Sequence, residues 1–118
     1  MPRYITKGNN NMRVLENFTF HDEASAADTG AVLKNTEGES LIIGVSGTFT
    51  GSITVQGKQG GEWFDLNVVD LKAIENKEAI TAAGAYAVVA VEGFGAIRCN
   101  LTAISAGSVT VTGRLCAE

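Results

Sequence analysis

The sequence predicts an all-β protein. It is read as one antiparallel β-sandwich, jelly-roll-like, of eight or nine short strands behind an extended N-terminal arm. Three observations lead there. Apolar residues alternate with polar ones in short runs; turn signals recur roughly every ten residues, as they do in sandwiches; and no stretch sustains a helical period. The 118 residues include 14 glycines and one proline, a balance that suits short strands and tight turns. A closed barrel is the second choice.

The elements follow in chain order. Residues 1–12, MPRYITKGNNNM, form the arm, and residues 13–118 the single domain. The arm reads either as a frayed terminus or as a tether that orders on a partner. Tyr4 and Ile5 give it something to bury, and Lys7 belongs to its locally basic run. VLENFTF is strand-like, with Val14, Phe18 and Phe20 on one parity. HDEASAADTG reads as an acidic loop, and GAVLKN as a short strand ended by the turn NTEGES. SLIIGVSG turns Leu41, Ile43 and Val45 to one face.

GTFTGS reads as a turn or strand end at Phe49, and SITVQGKQ as a strand with Ile53 and Val55 inward. The glycines of GKQGG mark a hairpin leading into EWFDLNVV. LKAIENKEAI has some helical look but is taken as loop or strand; another strand is expected from about Ala85 to Val91. AIRCNLTA and SVTVTGRL close the set, with Ile97, Cys99, Leu101, Val109 and Val111 inward. GTFTGSITV and SAGSVTVTG read as two similar hairpin texts.

Composition excludes several function classes. The net charge of −4 is wrong for a general nucleic-acid binder and for an anionic membrane surface. Apolar runs fall far short of the roughly 20 residues that cross a bilayer. The N-terminus has no apolar segment of a secretory signal, so folding inside a cell is expected. Of the two cysteines, Cys99 reads as a small buried hydrophobe and Cys116 as a mobile thiol near the terminus.

No catalytic, cofactor or metal site is expected. The one histidine, His21, reads as an exposed loop residue, because its neighbours Asp22 and Glu23 alternate faces rather than converge on it. No nucleophile elbow or phosphate loop is present. HDEASAAD reads as a solvated loop rather than a calcium site.

Trp63, the only tryptophan, raises the sharpest question. A lone tryptophan in a strand reads as a core or interface plug before a sugar platform. Phe64 has the opposite parity and needs a cover of its own. Asp65 and Asn67 are the polar partners a sugar would use if the platform reading held.

Between Leu41 and Leu115, about two-thirds of the chain, the order of motifs resembles a group of small tailed-phage and prophage virion proteins. The motifs are GTFTGSITVQG, the hairpin GGEWFDL, TAAGAY, the strand bearing Arg98, and AGSVTVTG. The first 40 residues depart from that pattern. The resemblance implies a cofactor-free, non-enzymatic β-sandwich of the capsid-decoration, head-fibre or tail-appendage type. It also implies self-association, with a trimer favoured, contact with phage capsid or tail proteins, and a place on the virion after assembly in the host cytoplasm. The alternative is a carbohydrate-binding adhesin module that meets a host-surface glycan near Trp63. Candidate contact residues are therefore Tyr4, Ile5, Lys7, Trp63, Phe64, Asp65 and Asn67.

Overall fold

A computed structural model describes residues 13–88 and 90–118. The predicted arm, with Tyr4, Ile5 and Lys7, lies outside the described residues. Ten strands are described: β1 (Arg13–Ala24), β2 (Leu33–Lys34), β3 (Ser40–Ser46), β4 (Phe49–Gln59), β5 (Glu62–Leu66), β6 (Val68–Asp70), β7 (Glu75–Lys77), β8 (Gly84–Val88), β9 (Ala96–Gly107) and β10 (Val109–Ala117). They pair antiparallel into two sheets, ordered β2-β9-β4-β5 and β1-β10-β3-β8-β6-β7. The expected β-sandwich is what forms. Its strands are not all short, since β1 and β9 have 12 residues each and β4 has 11.

Alternation places the core. Leu41, Ile43 and Val45 of β3 and Val109, Val111 and Leu115 of β10 point inward from the six-stranded sheet. Ile53 and Val55 of β4 and Ile97, Cys99 and Leu101 of β9 meet them from the four-stranded sheet. Ile80, bridged to Ile53, and Val91 join the same core from outside the strands. Each fully buried aliphatic side chain contributes about 1.5–3 kcal/mol of hydrophobic stabilisation.

The two texts read as hairpins are corners instead. β3 leaves one sheet and becomes β4 of the other after two residues, and β9 becomes β10 after one. Thr110 pairs with Ser46 on one side of the corner and Gly107 with Phe49 on the other, so the two bends lie against each other. Gly47 and Gly107 both have positive φ, 109° and 79°. A Cβ on Gly107 would meet the carbonyl oxygen of Thr48 at 2.0 Å, so only glycine fits. Short hairpins and sheet-switching corners share the same glycine and threonine vocabulary, which is why the sequence alone misread them.

Local irregularity explains the misreading of β1. Val111 faces His21 and the next residue, Thr112, faces Thr19, so Phe20 is an extra residue on β1. This bulge breaks strict alternation and leaves both Phe20 and His21 buried. His21 is thus a strand residue at 6% exposure, not an exposed loop residue. The Phe20 ring lies over Gly113, where a Cβ would clash at 2.6 Å, and meets Phe18 edge-on at 5.0 Å. A second register shift nearer Ala24 leaves Glu23 at φ 50°. Val14, which shares the parity of Phe18 and Phe20 in the sequence, is 48% exposed on this edge strand.

Cys116 is also corrected. It lies in β10 at 8% exposure, held by pairing with Ser40 and Val14, rather than on a loose terminus. Cys99 is fully buried as expected, and both thiols are free. LKAIENKEAI is a tight turn from Leu71 to Ile74 followed by β7.

Candidate functional face

The GGEWFDLN hairpin sits at the edge of the four-stranded sheet. Gly60 and Gly61 have φ of 61° and 83°, which suits the two-residue turn between Gln59 and Glu62. The register then decides where each side chain goes. Lys58 pairs with Trp63, Gln56 with Asp65 and Gly57 with Phe64. Residues directly opposite each other share a face. Gly57 is inward, between buried Val55 and the Phe94 ring that fills its missing side chain. Phe64 therefore belongs to the inner side, and Trp63 and Asp65 to the outer side.

Trp63 does not plug the core. It lies half-buried on the outer sheet face, with Arg98 Cζ 4.1 Å and Lys58 Nζ 5.7 Å from a ring centroid. Its cover comes from long cationic side chains on neighbouring strands, a surface way of sheltering an aromatic ring. Two side-chain hydrogen bonds order the polar groups around it. Arg98 Nε donates to Gln56 Oε1 at 2.8 Å, and Gln56 Nε2 donates to Asp65 Oδ1 at 2.8 Å.

Phe64 remains 47% exposed despite its inward parity, because β5 is the edge strand of its sheet and only β4 flanks it there. Asn67 is exposed at the junction of β5 and β6. The structure thus brings Trp63 and Asp65 together, places Phe64 on the opposite side, and leaves Asn67 beyond the cluster.

Three contributors were absent from the predicted set: Gln56, Lys58 and Arg98. Alternation alone puts Arg98 outward between Ile97 and Cys99, and Gln56 and Lys58 outward around Gly57. What alternation lacks is the strand register that aligns them. Lys58 also pairs with Ala96, which pairs with Lys34, giving an outer row Lys34-Ala96-Lys58-Trp63 across four strands. The row spans about 14 Å at ordinary strand spacing.

Residues 14–115 match the XepA family model. The chain belongs to the XepA family. Two solved structures share its fold. The SPBc2 prophage-derived protein YomS superposes with a TM-score of 0.81 at 18% identity, over 95% of this chain and 100% of YomS. The PBSX exported protein XepA superposes with a TM-score of 0.84 at 21% identity, over 99% of this chain. The chain spans about half of XepA, 46% of its length. No curated protein sequence matches it. At these identities the likeness to YomS and XepA is one of fold, and the Trp63 face is described from this chain's own residues.

Proposed function

We propose that this member of the XepA family is a prophage-encoded, non-enzymatic structural protein. It binds coat or tail subunits and associates with itself, as a capsid-decoration or fibre component assembled in the host cytoplasm. The observation that carries the reading is the Trp63 face, where an aromatic ring, two cations and a hydrogen-bonded Gln56–Asp65 pair stand on the outside of a rigid sheet. Aromatic and arginine side chains are the residue types that anchor protein contacts. The prophage part rests on membership of the XepA family and on the fold shared with the SPBc2 prophage-derived protein YomS. A three-fold assembly is the favoured self-association.

Particles purified on a density gradient after prophage induction, probed for this chain, test the reading. Co-migration with intact particles supports it; recovery only in the particle-free fraction overturns it. Light scattering of the purified chain tests self-association, with a trimer expected and a monomer at micromolar concentration against it.

A second reading is favoured by one specific observation. Trp63 lies on the outer face beside a carboxylate and an amide, which is the arrangement of a sugar-binding platform. In that reading the chain is a carbohydrate-binding module directed at a host-surface glycan.

A further inference from the structure

We propose that the outer face of the β2-β9-β4-β5 sheet binds an acidic carbohydrate, a sugar chain bearing carboxylate or phosphate groups. The proposal rests on the glycan-binding reading above and names the class of glycan.

Charge is the first argument. The whole chain carries −4. Yet the rows around Trp63 present three cations, Lys34, Lys58 and Arg98, against one carboxylate, Asp65. Among the described residues the ion pairs are Arg13–Glu37 and Lys77–Glu75, so these three cations are not neutralised by a neighbouring carboxylate. A local positive field on an acidic protein favours an anionic ligand.

Preorganisation is the second. Arg98 is fixed by its bond to Gln56 and by its stack on Trp63, so little side-chain freedom is lost when a ligand arrives. Asp65 and Gln56 supply an acceptor and an amide beside the ring, which suits hydroxyl groups. The exposed part of the half-buried indole, the polar atoms of Gln56 and Asp65, and the charges of Lys34, Lys58 and Arg98 together match a charged sugar.

Shape is the third. Lys58 and Ala96, the middle of the row, also line an open recess of about 330 Å³ with Gly60, Gly61, Gly93 and Gly95. A Cβ on any of these four glycines would meet nothing within 4 Å. The recess therefore has room for a ring substituent. Three cations are few for a nucleic-acid backbone.

The single tryptophan makes the test direct. Trp63 fluorescence is followed at low ionic strength during titration with four probes: oligogalacturonate, a sugar-phosphate oligomer, neutral maltohexaose and polyglutamate. Saturable binding of at least one acidic sugar is expected, with carboxylate and phosphate sources told apart by which of the two binds. Neutral maltohexaose, which lacks the charges, and polyglutamate, which lacks the sugar ring and its hydroxyl groups, should each bind at least about tenfold more weakly. Lys58→Gln and Arg98→Ala should each weaken acidic-sugar binding by about tenfold. Gly95→Leu, which fills the recess, should weaken it too. Thermal melting confirms that each variant is folded, and exposed Lys58→Gln serves if another variant is not. Failure of both acidic sugars to bind, equal binding of maltohexaose, or equal binding of polyglutamate overturns the proposal. None of these outcomes bears on co-migration with particles, so the virion reading stands or falls separately.

Discussion

His21 Nε2 lies 2.6 Å from the carbonyl oxygen of Cys99, a bond between the edge strand of one sheet and an interior strand of the other. A carbonyl only accepts, so Nε2 carries the proton and donates. On the side of β9 away from β4, Lys34 and Leu33 pair with Ala96 and Ile97, and Asp28 exchanges both backbone bonds with Leu101. Cys99 has the parity of Leu101 and sits between these partners, so its carbonyl faces the gap. His21 closes that gap.

His21→Ala should therefore destabilise the domain by about 1–3 kcal/mol, the cost of leaving a buried carbonyl unpaired. His21→Gln keeps an amide donor and should recover part of the loss. Urea unfolding followed by Trp63 fluorescence measures both; an unchanged midpoint for His21→Ala would show that the bond contributes nothing.

The sandwich itself was legible because alternation needs no tertiary information. Leu41, Ile43, Val45, Ile53, Val55, Ile97 and Leu101 are all buried where period two puts them. The failures cluster where period two breaks. At Phe20 a bulge turns His21 inward, and no residue type announces a bulge. At Gly47 and Gly107 the chain turns between sheets with the same residues that make hairpins. For Trp63 the obstacle was different. Its opposite parity to Phe64 was visible, but which of the two faced inward depended on Gly57 and the Phe94 ring that occupies its place.

Gly107→Ala should be among the most damaging single changes. It forces a side chain into a positive-φ site and drives Cβ against the Thr48 carbonyl, which belongs to backbone and cannot swing aside. Left-handed backbone alone costs about 1–2 kcal/mol for a non-glycine residue, and the clash adds to it. Gly95→Ala is the control, since its Cβ would meet open space. Paired thermal melts should show a large drop for the first and little change for the second; equal effects would mean that the corner relaxes freely.

Trp63→Ala should cost far less than the about 3–5 kcal/mol typical of a buried tryptophan. The ring rests on a surface, sheltered by Arg98 rather than by the core. Arg98→Ala should remove a cation–π contact of about 0.5–1 kcal/mol and alter Trp63 emission as the ring loses its cover. Denaturant midpoints with emission spectra check both. A loss of core size for Trp63→Ala would return the indole to the interior.

Ile74 is strained where it stands. It occupies φ 56° with its side chain 73% exposed, closing the turn whose amides at Lys72 and Ala73 donate to Asp70 Oδ1. A β-branched residue is poorly suited to that region. Ile74→Gly should raise stability by about 1 kcal/mol, read as an upward shift in melting temperature. A downward shift would mean that the exposed isoleucine makes a contact worth more than the strain.

Tyr86 ties the alkaline limit of the fold to one ring. Burial first, and then the Asp70 carboxylate paired opposite it, raise its pKa above the ordinary 10.0. Its hydroxyl donates to the Ala82 carbonyl at 2.8 Å, a bond available only to the protonated form. The folded state therefore holds this proton more tightly than the unfolded chain does. Its contribution is fully present below the unfolded pKa of about 10 and is lost as pH rises through the higher folded value. Urea midpoints should thus fall on raising pH above 10, and fall less steeply in Tyr86→Phe. Absorbance at the tyrosinate band, compared between the native chain and Tyr86→Phe, separates its titration from that of Tyr4. Asp70→Asn keeps an acceptor for the turn while removing the charge, so it should lower the Tyr86 pKa without restoring it to 10.0, because burial is the larger cause. A Tyr86 that titrates at its ordinary value would remove both the charge and the burial arguments at once.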